Sequence, residues 1–235
     1  MDVEILYEDA QLAVCVKPAG VLSEEGGMPE LLRQQLGGDF FCVHRLDKPA
    51  AGVMVYARTG EAAASLGAQI AAGRMRKQYL ALVQGVPETE RGSMKDLLYH
   101  DASRNKSYVV TRQRRGVREA LLDYELLGTA EWEDMTCSGL RIVLHTGRSH
   151  QIRVQLASRG MPLIGDGRYG SALRNCPLAL FSEQIGFFHP TESCEMLVSS
   201  PPPETAPWAL FDLRTPETRK TAFVWKRTDS GGIEP

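Results

Sequence analysis

The chain contains no apolar run approaching the ~18 residues that a membrane-spanning helix needs, so no span is expected. Its five cysteines (Cys15, Cys42, Cys137, Cys176 and Cys194) are odd in number, scattered, and include no Cys-x-x-Cys. That argues against a disulfide framework and against a thiolate zinc site. The opening Met1-Asp2-Val3-Glu4 lacks the basic and apolar stretches of a secretory signal, so a reducing cytoplasm is the expected home. His145 and His150 lack the i, i+4 spacing of a zinc-binding helix and have no further ligands at metal-site spacing, so no metal is expected. Gly26-Gly27 and Gly165-Asp166-Gly167 have no phosphate-loop context, so no nucleotide cofactor is expected either. A large charge of either sign is also missing: the net charge is −2 over 235 residues.

The charge that is present is segregated. Residues 1–39 hold only Lys17 and Arg33 against eight acidic groups. Residues 101–120 hold six basic groups (Arg104, Lys106, Arg112, Arg114, Arg115 and Arg118) against two acidic ones, and residues 141–174 hold six arginines against Asp166 alone. A local basic patch, rather than bulk charge, is what a nucleic-acid partner requires, although solvated faces also look like this. The length suits one large domain or two small ones.

The pattern along the chain predicts a hairpin from Ile5–Tyr7 and Leu12–Val16, ended by the turn Lys17-Pro18-Ala19-Gly20. Pro29 is expected at the first position of a short helix that runs to Leu36 and stops at Gly37-Gly38. Short strands are expected at Phe41–His44 and Gly52–Ala57, joined by the polar connection around Asp47. The alanine-rich stretch 61–72, with Leu66 and Ile70 at i, i+4, predicts a helix ended by Gly73. Further strands are expected at Tyr79–Val83, Val109-Val110, Ala120–Leu127 and Gly139–His145. Ser149 is expected to cap a helix from His150 to Ser158. Strands that follow one another without intervening helices indicate an α+β (mixed α/β) fold, a mixed and mainly antiparallel sheet flanked by a few helices. Beyond Pro201-Pro202-Pro203 the pattern weakens. Residues 206–235 read as a C-terminal extension that is partly packed through Trp208, Phe211, Phe223, Val224 and Trp225, with a loose tail at 228–235.

Two segments carry candidate chemistry. Asp47 lies in a loop with Arg45 two residues before it; a guanidinium beside a carboxylate favours the anion, which suits a nucleophile or general base. The same residue also reads as a turn aspartate before Lys48-Pro49. In Thr146-Gly147-Arg148-Ser149-His150-Gln151-Ile152-Arg153, a strand ends, a glycine turns the chain and a helix begins. Arg148 and Arg153 there can hold a phosphate or lock a carboxylate by a bidentate pair, or simply form a solvated first turn. Tyr79 reads as a core or edge tyrosine, or as an aromatic platform for a base.

Together, these segments resemble the RluA-type pseudouridine synthases. The family motif His-Arg-Leu-Asp-x-x-Thr-Ser-Gly stands here as His44-Arg45-Leu46-Asp47-Lys48-Pro49-Ala50-Ala51-Gly52. Arg76-Lys77-Gln78-Tyr79-Leu80-Ala81-Leu82-Val83-Gln84-Gly85 is similar to the strand with the active-site tyrosine, and residues 146–154 to the basic motif. Pro162-Leu163-Ile164-Gly165-Asp166-Gly167-Arg168-Tyr169-Gly170 resembles the segment that follows, and the opening residues 5–9 and 17–21 match as well. The likeness runs from about residue 3 to about residue 205, and four blocks in the right order make it specific. It implies one catalytic domain over residues 1–205 with an RNA cleft, and an enzyme that isomerises a uridine in ribosomal or transfer RNA without a cofactor. By position it implies Asp47 as the catalytic aspartate, Tyr79 against the target base, and Arg153 pairing with Asp47. Arg45, Arg148, His150, Gln151, Arg76 and Lys77 are the candidate RNA contacts.

The family's Thr-Ser after the aspartate is Ala50-Ala51 here, and the sequence opens almost at once on the catalytic hairpin, so an additional N-terminal RNA-binding domain is not expected. In the implied reaction the bond from uracil N1 to ribose breaks and the sugar rejoins at carbon 5. The product is an isomer, so no redox partner is required. A carboxylate can attack the sugar or the base, or take a proton to allow elimination. The partner is then RNA, with neither membrane nor DNA expected, and the protein is expected to be a monomer. Two rivals remain: an RNA-binding folding aid that has lost catalysis, and an aspartate-dependent glycosidase or nucleosidase, which ordinarily needs a second carboxylate.

Overall fold

The computed structural model describes residues 1–192, 194–211, 213 and 221–226, the last stretch as backbone alone. The strands are β1 (Glu4–Glu8), β2 (Leu12–Lys17), β3 (Phe41–Cys42), β4 (Ala51–Ala57), β5 (Arg76–Gln84), β6 (Arg91–Asp101), β7 (Lys106–Val110), β8 (Val117–Trp132), β9 (Met135–Leu144), β10 (Leu180–Phe188), β11 (Cys194–Ser199) and β12 (Thr221–Lys226). The helices are α1 (Met28–Leu36), α2 (Gly60–Ala71) and α3 (Gln151–Ala157). This is the expected α+β class, with strands dominating. No helix among the described residues is long and apolar enough to cross a membrane. All five cysteines are free.

The chain divides into two compact units. The first holds Met1–Lys77, Ser182–Pro201 and strand β12. Here β1 pairs antiparallel with β2, β2 with β4 (Leu12↔Ala57 through Lys17↔Gly52), and β10 with β11, which pairs in turn with β12. Strands β2 and β4 are buried almost throughout, as strands covered on both faces are. Leu12, Val14, Val53, Val55, Phe187, Met196 and Val198 form the core with Ala62 and Leu66 of α2. Each fully buried side chain of this size contributes roughly 1.5–3 kcal/mol. Ala62 and Leu66 are spaced i, i+4 and so share one helical face. Thr59 caps α2, its Oγ1 accepting the Ala62 N–H at 3.1 Å. Gly52 has φ +121°, and a Cβ there would come within 2.4 Å of the Ser182 backbone. Only glycine lets the chain leave the Asp47 loop and enter β4 at that point.

The second unit holds Gln78–Phe181 and Pro202–Leu213. Its strand order is β5-β9-β8-β6-β7, every pair antiparallel. On one face of this ladder Ile142, Leu122 and Met94 are buried, and α3 covers that side, Val154 packing on Leu98 and Ala120. Gln155 secures the helix by donating from Nε2 to the Met94 carbonyl and the Asp96 carboxylate.

Several boundaries differ from the sequence pattern. Strand β3 stops at Cys42 because His44 turns inward, and β8 and β9 run well past their apolar centres to meet in a hairpin at Glu133-Asp134. Ser149 does not cap α3: the N-cap position is His150, in the left-handed region at φ 54°, with no side-chain cap. Strands β6, β10 and β11 have no clear signature, because β6 groups Lys95-Asp96 and Leu97-Leu98-Tyr99 in blocks instead of alternating them and Glu183 and Gln184 interrupt β10. Trp208 is buried and the Phe211 ring lies against Gly139. The expected loose tail at 228–235, and the side chains of Phe223, Val224 and Trp225, lie outside the described residues.

Candidate active site

In the first unit, half-buried Asp47 sits in a loop that is held on both sides. Before it, the Ser23 hydroxyl donates to the Leu46 carbonyl at 2.8 Å and accepts the Leu46 N–H at 3.0 Å. The Tyr56 hydroxyl holds the Ser23 carbonyl in turn at 2.8 Å. After it, the Lys48 carbonyl accepts the Gly20 N–H at 2.8 Å and Lys17 Nζ at 3.3 Å. The Ala50 N–H closes the turn onto the Asp47 carbonyl at 2.9 Å. With its flanking residues fixed in this way, the carboxylate has a defined place.

Lys17 is completely buried at the end of β2, and its ammonium also donates to the carbonyls of Pro18 (2.9 Å) and Val21 (2.7 Å). Burial pulls its pKa down to about 8, while the negative field of Asp47 pushes the other way. Within this unit Lys17 is thus a cation electrostatically coupled to Asp47, whereas Arg45, expected beside the carboxylate from sequence, is bonded to a different acid. Arg45 is exposed and donates to Glu24 at 3.2 Å. The reason is the Ser23 strap: tying Ser23 to Leu46 sets Glu24 beside Arg45. Lys17 is legible after the fact as a lysine that continues the buried run Val14-Cys15-Val16, whereas Ser23 has no local signal.

His44 is buried, and its Nε2 accepts the Val55 N–H at 3.2 Å. Burial, helped by the Lys77 charge, drives its pKa well below the usual histidine range. The ring is therefore neutral with its proton on Nδ1, which has no hydrogen-bond partner among the described residues. Lys77 is half-buried and its pKa is lowered by desolvation. Arg76 is exposed and paired with Glu195.

In the second unit, Tyr79 is buried in β5 opposite Ile142. Arg153 of α3 is buried and forms a bidentate pair with Asp166: Nε to Oδ2 at 2.7 Å and Nη2 to Oδ1 at 2.8 Å. Its guanidinium carbon lies 5.1 Å from the Tyr169 ring centroid, within cation–π range. Of the two uses open to Arg148 and Arg153, locking a carboxylate is thus realised at Arg153. Asp166 did carry a signal, as the single acid among the six arginines of residues 141–174.

Arg148 is exposed and donates from Nε to the Glu119 carbonyl at 2.9 Å. Gln151 departs from its expected place among the RNA contacts. It is buried, with Oε1 accepting Thr146 Oγ1 and the Arg148 N–H and Nε2 donating to the Leu121 carbonyl, so it braces the turn into α3. The His150 ring stands edge-on to both His100 and Tyr169.

The basic stretch 101–120 forms the β6–β7 hairpin and the connection to β8, interleaved with aromatics. Lys106 Nζ lies 5.3 Å from the Tyr169 ring and 5.8 Å from that of Tyr108, and Arg114 lies over Tyr99 at 4.8 Å. Arg168 donates to the carbonyls of Arg104 and Asn105 at the hairpin tip. Cations beside aromatic faces are the pairing that phosphates and bases require.

Residues 11–158 match the family described as RNA pseudouridylate synthase. The chain is 32% identical over 248 residues to a protein named an uncharacterized RNA pseudouridine synthase from Aquifex aeolicus, covering 95% of this chain and 72% of that one. It is 31% identical to tRNA pseudouridine synthase C of Pasteurella multocida (81% of this chain, 87% of that one). It is likewise 31% identical to ribosomal large subunit pseudouridine synthase D of Pseudomonas aeruginosa (91% and 72%). The solved structure of human RNA pseudouridylate synthase domain containing 1 shares the fold, with a TM-score of 0.78 at 21% identity, over 97% of this chain and 91% of that one.

Proposed function

We propose, for a chain that belongs to the RNA pseudouridylate synthase family and is therefore an isomerase converting uridine to pseudouridine in RNA, that its substrate is a uridine of structured ribosomal or transfer RNA and its catalytic carboxylate is Asp47. The observation that carries this reading is the Asp47 loop. It falls inside the matched residues, at the aspartate of the family motif, and is tied down on both flanks by Ser23, Gly20 and Lys17. Tyr79 takes the role of packing against the target base, and Arg153 that of the basic partner in the chemistry.

A uridine in folded RNA is stacked, so it is flipped out at a cost of a few kcal/mol. Aromatic stacking and phosphate contacts offset that cost. Arg45, Arg76, Lys77, Arg148 and His150, with the basic hairpin, supply the phosphate and base contacts. During the reaction the N1–ribose bond breaks, the carbon 5–ribose bond forms, carbon 5 gives up its proton and N1 gains one, so no cofactor is consumed. The reading includes a catalytic domain over residues 1–205, extended at 206–235, that works as a cytoplasmic monomer.

The test is pseudouridine mapping of total RNA from cells with and without this gene, complemented by wild type or Asp47→Ala. One or a few sites vanish and only wild type restores them. Restoration by Asp47→Ala would remove Asp47 from the chemistry, and an unchanged map would point to an RNA-binding role without catalysis.

A further inference from the structure

Arg153 is fixed by a small assembly that the reading above does not use. The turn Gly165–Gly170 presents Asp166 and Tyr169 to the same guanidinium. The carboxylate takes two of its nitrogens at 2.7 and 2.8 Å, with side chains 1% and 6% exposed, and the Tyr169 ring faces its carbon at 5.1 Å. A bidentate carboxylate fixes the plane and direction of the guanidinium. An aromatic face fixes it from a second direction.

The clamp is itself held. Gly165 has φ +79°, and a Cβ there would lie 2.3 Å from the Pro177 carbonyl oxygen, so the turn tolerates only glycine. Its N–H donates to the Leu173 carbonyl, and the Asp166 carbonyl accepts both the Tyr169 and Ser171 N–H groups. The Tyr169 hydroxyl accepts the Ser107 N–H at 2.8 Å and bonds His150 Nδ1 at 2.9 Å. Ser107 Oγ donates to the Ser149 carbonyl at 2.6 Å. The ring is therefore tied to β7, in the basic hairpin, and to the turn that opens α3. Arginine is long and flexible and α3 has only seven residues, so the helix alone does not define where the guanidinium points.

We propose that Asp166 and Tyr169 are positioning residues that hold the Arg153 guanidinium in its working orientation, and that Tyr169 links that orientation to the basic hairpin. The inference rests on the reading of Arg153 as part of the chemistry. A guanidinium released from the clamp leaves RNA affinity nearly intact, because affinity is spread over many phosphate contacts. It loses the transition-state interaction, which appears in kcat rather than in KM.

The experiment measures tritium release from total RNA labelled with [5-³H]uridine and extracted from cells lacking this gene. It uses the full chain at a temperature where circular dichroism shows each variant folded. Asp166→Asn lowers apparent kcat by about 10²-fold, the scale of a small misplacement, with apparent KM held within about twofold. Tyr169→Leu lowers kcat roughly tenfold, and Tyr169→Phe, which keeps the ring but loses both hydroxyl bonds, falls between it and wild type. Arg153→Lys is impaired, and adding Asp166→Asn to it costs nothing more.

A merely structural pair gives a different pattern: activity tracks the folded fraction, and the double variant is worse by the product of the single effects. That pattern, or Asp166→Asn and Tyr169→Leu near wild type beside an impaired Arg153→Lys, overturns the clamp and leaves the role of Arg153 standing. Arg153→Lys at wild-type activity, or wild-type protein that releases no tritium, overturns the underlying reading and the clamp with it. If Arg153→Lys falls below detection, the order wild type, Tyr169→Phe, Tyr169→Leu decides, and any other order refutes the clamp.

Discussion

Replacing Lys17 by methionine tests the electrostatics beneath the Asp47 loop. The substitution keeps an unbranched side chain only one atom shorter and removes its charge. In the folded protein the ammonium is buried and its pKa is drawn from 10.5 to about 8, which corresponds to about 3 kcal/mol carried by the charged form. The sign follows from proton counting. Between pH 8 and 10.5 the unfolded chain keeps the proton while the native chain has released it, so this residue makes stability rise with pH across that window. The penalty is fully present below pH 8, and roughly 2–3 kcal/mol of it is relieved by pH 10.

Lys17→Met removes that pH dependence and strands the carbonyls of Pro18 and Val21, at about 1–3 kcal/mol each. The Lys48 carbonyl keeps the Gly20 N–H. At pH 7 the two effects oppose each other, so the informative quantity is the difference between variant and wild type as pH changes. Urea unfolding followed by circular dichroism between pH 7 and 10, with equal m-values confirmed, should show the variant losing about 2–3 kcal/mol relative to wild type over that range. Other titrating groups cancel in the difference. A difference that stays flat with pH would refute the account of a desolvated ammonium. The strap on Lys48 also adjoins Asp47, so turnover should fall by about 10²-fold in the folded variant.

Three further outcomes follow from the same structure. His44 is kept neutral by burial, so below about pH 6.5 the unfolded chain takes up a proton that the native chain refuses, and stability falls as pH drops. His44→Gln should flatten that acid limb in urea unfolding, and an unchanged limb would show that His44 is not its source. In the β8–β9 hairpin, Glu133 (φ 48°) and Asp134 (φ 59°) both occupy the left-handed region. Glu133→Asn with Asp134→Gly suits that turn and should stabilise the protein by about 1 kcal/mol, a rise of about 2–4 °C in Tm by calorimetry; a lower Tm contradicts the turn assignment. Thr59→Ala removes the cap of α2 and should cost about 1 kcal/mol in the same assay, with no loss of stability counting against the cap.

Much of this protein was legible in one dimension. Period-2 and period-3.6 patterns placed β1, β2, β4, α1 and α2 to within a few residues, because their apolar faces are contiguous in sequence. The order of four short blocks around Asp47, Tyr79, Arg153 and Gly165-Asp166-Gly167 indicated the family, which the comparisons bear out. Strands β6, β10 and β11 were not legible, because their burial comes from neighbours distant in sequence and not from their own alternation. Arg45 was expected beside Asp47 by adjacency, yet the strap from Ser23, far back in sequence, delivers Glu24 to it instead. Sequence alone determined which residue types are available for chemistry and the order in which they occur. Tertiary structure alone decided partners that the order of residues does not show, among them Lys17 near Asp47, and Asp166 with Tyr169 at Arg153. A buried charge takes whatever counter-charge or carbonyl the packing brings within about 3 Å, and that is a property of distances in space, not of positions along the chain.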